Sequence, residues 1–146
     1  MASRYMLDTD TCSYIMKRSS PAVLQHLRAT PIEDVCISVV TKAELLYGVE
    51  VSPRRTQDAT ALEAFLLHVA VLPFPDNAAP HYARIRADLK ARGELIGAND
   101  LFIAAHARSL GLRLVTNNVS EFSRVKGLTL ENWTRPAARR RSNADE

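Results

Sequence analysis

The sequence predicts an α/β domain in which a mostly parallel sheet is flanked by helices. Short apolar runs with strand-like chemistry recur at residues 5–7, 35–39, 69–72, 112–115 and 128–130. Longer segments with helical spacing separate most of them, and strands that alternate with helices call for right-handed crossovers and a sheet covered on both faces. Pro21, Pro31, Pro53, Pro73 and Pro75 punctuate the connections, and no internal repeat precedes the last dozen residues.

In chain order, the first run ends on Asp8, and either Asp8 or Asp10 can cap the helix that follows. The second run is followed by Thr41 and Glu44 at the T-x-x-E spacing of a capping box, whose glutamate would turn back to the backbone. Leu62, Phe65, Leu66 and Val69 share one helical face. Asp76 is placed to cap a helix beginning near Asn77, in which Ala78, Tyr82, Ile85 and Leu89 form an apolar stripe and Gly93 stands at the C-cap. Residues 101–110 are apolar nearly all round and end at Gly111, so that helix is expected to be buried.

A chain of 146 residues lies in the single-domain range, and 47% hydrophobic with 24% charged residues is ordinary globular usage. The composition changes at the end, so residues 1–134 are read as the domain and 135–146 as a basic, disordered tail. That tail holds four arginines against two acids, +2 of the chain's net +3, which leaves residues 1–134 near +1. Net charge alone therefore argues only weakly for nucleic acid. Cys12 and Cys36 have neither CxxC nor Cys/His spacing, which excludes a zinc site or disulfide framework and predicts buried thiols. No run reaches the ~20 apolar residues of a membrane span, and a cytoplasmic location is expected.

The informative feature is where the acids fall. Asp8 follows the first strand, Glu44 the second by a helical turn, and Glu121 the fourth by a short loop, while Asp100 begins the buried helix. In open α/β sheets ligands bind beyond the strands' carboxyl ends, so the first three should converge there, with Asp100 reaching the same edge from a helix start. Carboxylates ~4 Å apart repel by about 4 kcal/mol at an effective dielectric of ~20, which calls for a compensating cation. All-oxygen ligands without histidine suit Mg²⁺ or Mn²⁺, and phosphodiester hydrolysis is the chemistry that follows most directly. Each acid also has a structural reading as helix cap, dipole partner or solvated loop acid. His26, His68, His81 and His106 lack ligand spacing and are set aside, and Arg84, Arg86, Lys90 and Arg92 are read as a solvated helix face.

Four ordered segments resemble a known family: YMLDTD at residues 5–10, ISVVTKAELLYG at 37–48, IGANDLFIAAH at 96–106 and LVTNNVSEF at 114–122. Together they resemble the motifs of PIN domains, in particular the VapC toxins of toxin–antitoxin pairs, with similarity over residues 4–133. The resemblance implies a five-stranded parallel sheet between helices, endoribonuclease activity, a homodimer, and inhibition by a VapB-like antitoxin whose C-terminal segment runs up to the acidic pocket. By motif position it makes Asp8, Glu44, Asp100 and Glu121 the metal-site acids, with Thr9, Thr116 and Asn117 as supporting groups. Asp10 stands where the family usually has asparagine, which leaves it open as ligand, cap or neither. Glu121 stands where aspartate is frequent, so it reaches one methylene further.

Two other readings compete. DTDT from Asp8 also resembles the D-x-D-x-T nucleophile motif of haloacid-dehalogenase-like phosphatases, but the downstream acidic pair of that family is missing. A non-catalytic PIN-like scaffold that binds RNA or protein would use the same acids only as caps and ion-pair partners.

Overall fold

The computed structural model describes residues 3–136. Five strands, β1 (Tyr5–Leu7), β2 (Val35–Ser38), β3 (Ala70–Leu72), β4 (Arg113–Val115) and β5 (Leu130–Glu131), pair in the order β3-β2-β1-β4-β5. Every pairing is parallel, as alternation of strands with helices requires. Seven α-helices occupy the connections: α1 (Thr9–Lys17), α2 (Pro21–Ala29), α3 (Val39–Glu50), α4 (Arg55–Leu66), α5 (Ala78–Ala91), α6 (Ala98–Leu110) and α7 (Val119–Phe122). Most of the tail expected at residues 135–146 lies outside the described residues.

Strand alternation explains why the sheet needs cover on both faces. Met6, Cys36 and Leu114, register partners across β1, β2 and β4, point into one core with Ile85, Leu89, Ile103 and Phe122. Their neighbours Leu7, Ile37 and Val115 point into a second core with Cys12, Val23, Leu62 and Trp133. Both cysteines are buried and free, as expected. The helix at residues 101–110 is buried as its composition predicts, and it ends at Gly111, whose φ of +66° is a left-handed turn that a side chain would strain.

Three local expectations are corrected. Ser38, rather than Thr41, starts α3: its hydroxyl accepts from the Val40 N–H, so Val39 belongs to the helix and Thr41 is a buried interior residue. There is thus no capping box, and Glu44 is free to face elsewhere. Asp76 does not cap α5 through its side chain; Asn77 holds the N-cap position with no side-chain bond, and the carbonyls of Pro75 and Asp76 take the first N–H groups. The last strand lies at 130–131, later than its apolar signal at Leu128, because Leu128 packs against the core ahead of the pairing.

Candidate active site

The chain leaves β1 toward β2 and β3 on one side and later places β4 on the other, so the carboxyl ends of β1 and β4 flank the topological switch point. Asp8 stands there, only 4% exposed. It caps α1, as its capping reading required: one oxygen accepts from the Thr11 N–H at 2.9 Å. The other accepts from the Thr116 hydroxyl at 2.5 Å, across the switch point. Burial raises the Asp8 pKa, against the opposing pull of the Thr116 and Thr11 bonds. Asp8 is thus both the cap of α1 and a carboxylate at the switch point.

Because β2 passes into α3 without a loop, Glu44 lies in the second turn of α3, and helical side chains lean toward the N-terminus and hence toward the sheet edge. Its Oε1 accepts from the Thr9 hydroxyl at 2.6 Å, and its Oε2 accepts from the Asn99 amide at 3.4 Å. Gly97 takes the N-cap position of α6, which moves Asp100 to the third helical residue. A Cβ on Gly97 would lie 3.4 Å from an Asp100 oxygen and 3.9 Å from a Glu121 oxygen, so the backbone here approaches both acids closely. The Gly97 N–H donates to Glu121 Oε1 at 3.0 Å, and the Asn118 amide donates to Glu121 Oε2.

Electrostatics tie these groups together. The Asp100 carboxyl is pushed up to about 7, by burial first, then by its hydrogen bond with Glu121 and that residue's charge, and then by the charges of Glu44 and Asp8. Burial pushes Glu121 up as well, but the Gly97 N–H, Asp100 and Asn118 outweigh it and hold Glu121 below the ordinary carboxylate value. The two carboxyls titrate as a pair, Asp100 raised and Glu121 lowered. All four acids act on one electrostatic neighbourhood, although among the described residues no three His, Cys, Asp or Glu side chains close into a ready-made metal cage.

The remaining expected residues divide. Thr9 and Thr116 hold Glu44 and Asp8. Asn117 turns toward Tyr14, Asn132 and Thr134, and it is Asn118 that reaches Glu121. Asp10 is exposed in the first turn of α1, and its charge is the smallest of the influences on Asp8. Asn99 and Asn118 had no motif of their own; the only signal was an amide beside each acid-bearing turn. Next to Glu44, an apolar groove of about 250 Å³ runs between α1, α3 and α4, with Met16, Leu45, Val49 and Leu62 among its walls.

A small parallel α/β domain with carboxylates around its switch point is a fold class that hosts several chemistries, and similarity narrows it. The PIN domain model matches residues 5–128, and the chain belongs to the PIN domain family. It is 42% identical over 130 residues to ribonuclease VapC2 of Haemophilus influenzae, covering 89% of this chain and 98% of that protein. It is 40% identical over 131 residues to the tRNA(fMet)-specific endonuclease VapC of Shigella flexneri, covering 90% and 98%. The fold matches DNA-bound VapBC from Salmonella typhimurium with a TM-score of 0.84 and 37% identity, over 90% of this chain and 98% of that one. VapBC2 from Rickettsia felis, bound to a DNA fragment from its promoter, matches with a TM-score of 0.83 and 36% identity over 91% and 99%. Family membership removes the phosphatase reading.

Proposed function

We propose that this chain is a divalent-cation-dependent endoribonuclease, the toxin of a VapBC-type toxin–antitoxin pair. The observation that carries the reading is the Asp100 carboxyl, pushed up to about 7 by burial and by three other acids at the sheet's switch point. A site so loaded with negative charge favours a positive occupant, and the ribonuclease and endonuclease relatives supply the substrate class. The donor set fits a hard cation: it is all oxygen, and the thiol of Cys12, in the turn that Asp8 caps, is buried in the core. The absence of a closed cage is compatible with Mg²⁺, which keeps several waters and takes one or two carboxylates.

Asp8 and Asp100 would hold Mg²⁺, or Mn²⁺, with Glu121 completing the shell. When bound, the cation supplies stabilisation of the charge that develops on the phosphoryl oxygens and assists ionisation of the attacking water. The protein's own groups do the rest. Glu44, aimed by the Thr9 hydroxyl and the Asn99 amide, accepts the proton of the attacking water. Thr116 fixes the Asp8 carboxylate, and the Gly97 N–H and Asn118 fix Glu121.

The solved relatives are VapBC complexes, and a VapB-like antitoxin is the partner we assign to this chain. The groove beside Glu44 offers apolar walls to such a segment and leads it to the acids. A homodimer is the assembly we propose, with the exposed Val39 and Tyr47 on α3 available to a second copy. No helix among the described residues is long and apolar enough to cross a membrane.

The test is cleavage of RNA by purified protein with Mg²⁺, with Mn²⁺ and with chelator. Cleavage in either ion that stops in chelator and in Asp100→Asn is expected. Full cleavage in chelator overturns the reading.

A further inference from the structure

The parallel strands place the start of α6 at the acidic edge and its end, through the turn at Gly111, at the opposite edge. Asp100 and Arg108 are eight residues apart on α6, about 12 Å along its axis. Around Arg108 the chemistry inverts. A pocket of about 190 Å³ between α5, α6 and the segment after α7 is lined by Arg84, Ile85, Asp88, Arg108, Val125 and Lys126.

Arg108 is held in place by neutral groups rather than by an acid. Its Nε donates to His81 Nδ1 at 2.9 Å and its Nη1 to the Lys126 carbonyl at 2.9 Å. Its stem passes 3.5 Å from where a Cβ on Gly127 would stand. A guanidinium held by two of its N–H groups keeps its charge and has three more N–H groups to donate. Burial, then the charge of Arg84, holds Arg108 below the ordinary guanidinium value, so the two cations face each other closely enough to repel. Asp88 relieves Arg108 only in part, because its carboxylate is bonded to Arg92 at 2.8 Å and lies 3.8 Å from Lys126. Among the described residues neither Arg84 nor Arg108 has a carboxylate within ion-pair distance.

We propose that Arg84, Arg108 and Lys126 form a docking site for the sugar–phosphate backbone of the RNA substrate, on the edge of the sheet opposite the acid crevice. The inference rests on the ribonuclease reading and adds what that site alone lacks. A crevice holding Asp8, Glu44, Asp100 and Glu121 attracts a polyanion only as far as its cation offsets the acids, so a basic surface elsewhere on the domain adds to the attraction. Phosphate contacts fix orientation without reading bases, and a pre-positioned guanidinium suits them. A structured RNA is large enough to touch both edges at once, whereas a few nucleotides reach only the crevice.

The experiment uses Arg84→Ala with Lys126→Ala, both exposed positions outside the catalytic machinery. Binding of fluorescently labelled bulk transfer RNA is followed in chelator, and cleavage of a tetraribonucleotide is followed with Mg²⁺ and with Mn²⁺. The proposal expects transfer-RNA affinity to fall about tenfold and the slope of log affinity against log salt to become shallower by about 1.4, which is about 0.7 for each lost single-strand phosphate contact. It expects an unchanged rate on the tetraribonucleotide. Unchanged affinity and slope for transfer RNA overturn it. So does an equal loss on both substrates, or weakened antitoxin binding with transfer-RNA binding intact. Should the native protein leave both transfer RNA and the tetraribonucleotide whole in both ions, the ribonuclease reading fails, while the binding comparison in chelator still decides the docking site.

Discussion

Asp8 and Asp100 lie on the same edge of the sheet and have opposite relations to the fold. Asp8 is buried and satisfied, with the Thr11 N–H on one oxygen and the Thr116 hydroxyl on the other. Asp100 is half-buried, and the neighbouring charges of Glu121, Glu44 and Asp8 all oppose its ionisation. One acid helps to build the crevice, and the other is tolerated by it. Substitutions at the two positions should therefore separate stability from function.

The largest effect is expected for Asp100→Asn. Cleavage of RNA should fall by about 10²- to 10³-fold, the cost of losing a group that stabilises developing charge, while the melting temperature holds or rises because like-charge repulsion is relieved. A melting temperature several degrees lower would show that the fold depends on Asp100 as it does on Asp8. Next comes Asp8→Ala, which removes a helix cap and strands the Thr116 hydroxyl in a buried site. Denaturant titration should show a loss of about 2–4 kcal/mol, from ~1 for the cap and ~1–3 for the unpaired groups, together with loss of cleavage.

The sequence exposes the first half of this comparison better than the second. The strands and the buried helix are legible because short apolar runs and an all-round apolar helix report burial directly. Asp8 was legible for the same reason, since an acid that directly follows a buried strand has few places to go. The start of α3 was not. Val39 and Val40 extend a β-branched run, and it is the Ser38 hydroxyl on the Val40 N–H, a local bond of little sequence weight, that ends the strand. Nor did the pattern separate Asn117 from Asn118. Adjacent amides look alike, and only the turn into α7 decides which one faces Glu121. The coupling of Asp100 to Glu121 needs the approach of the Gly97 backbone, a tertiary fact.

A smaller effect should sharpen the comparison through pH. Asp100 is raised in the fold from 3.8 to about 7, so the folded state keeps a proton that the unfolded chain has already lost. Stability from this group is present at low pH and is lost as pH rises through about 7. The lowered Glu121 acts in the opposite sense, with its contribution lost below its ordinary 4.5. The lowered His81 and His106 also oppose the Asp100 effect, near 6.5. Comparing the native protein with Asp100→Asn in chelator removes the histidine contributions. The difference, native minus variant, should decline steadily between about pH 4.5 and about 7, and a flat difference would place Asp100 outside the coupled cluster.

The smallest effect is expected for Thr9→Val, which removes only the hydroxyl that aims Glu44 at 2.6 Å. One hydrogen bond to a charged group is worth about 1.5–3 kcal/mol. With Asn99 still in place, the cleavage rate should drop by roughly tenfold with KM little changed. A rate equal to that of the native protein would remove Thr9 from the machinery.

The central claim, that these acids gather a divalent cation, is tested most directly by calorimetric titration of Mn²⁺ at pH 6.5 in buffers of different ionisation enthalpy. With its carboxyl raised to about 7, Asp100 is in part protonated there, so ion binding should release protons into the buffer, and Asp100→Asn should bind more weakly with that release reduced. Absence of measurable Mn²⁺ binding, or identical binding and proton release in the variant, would contradict the account.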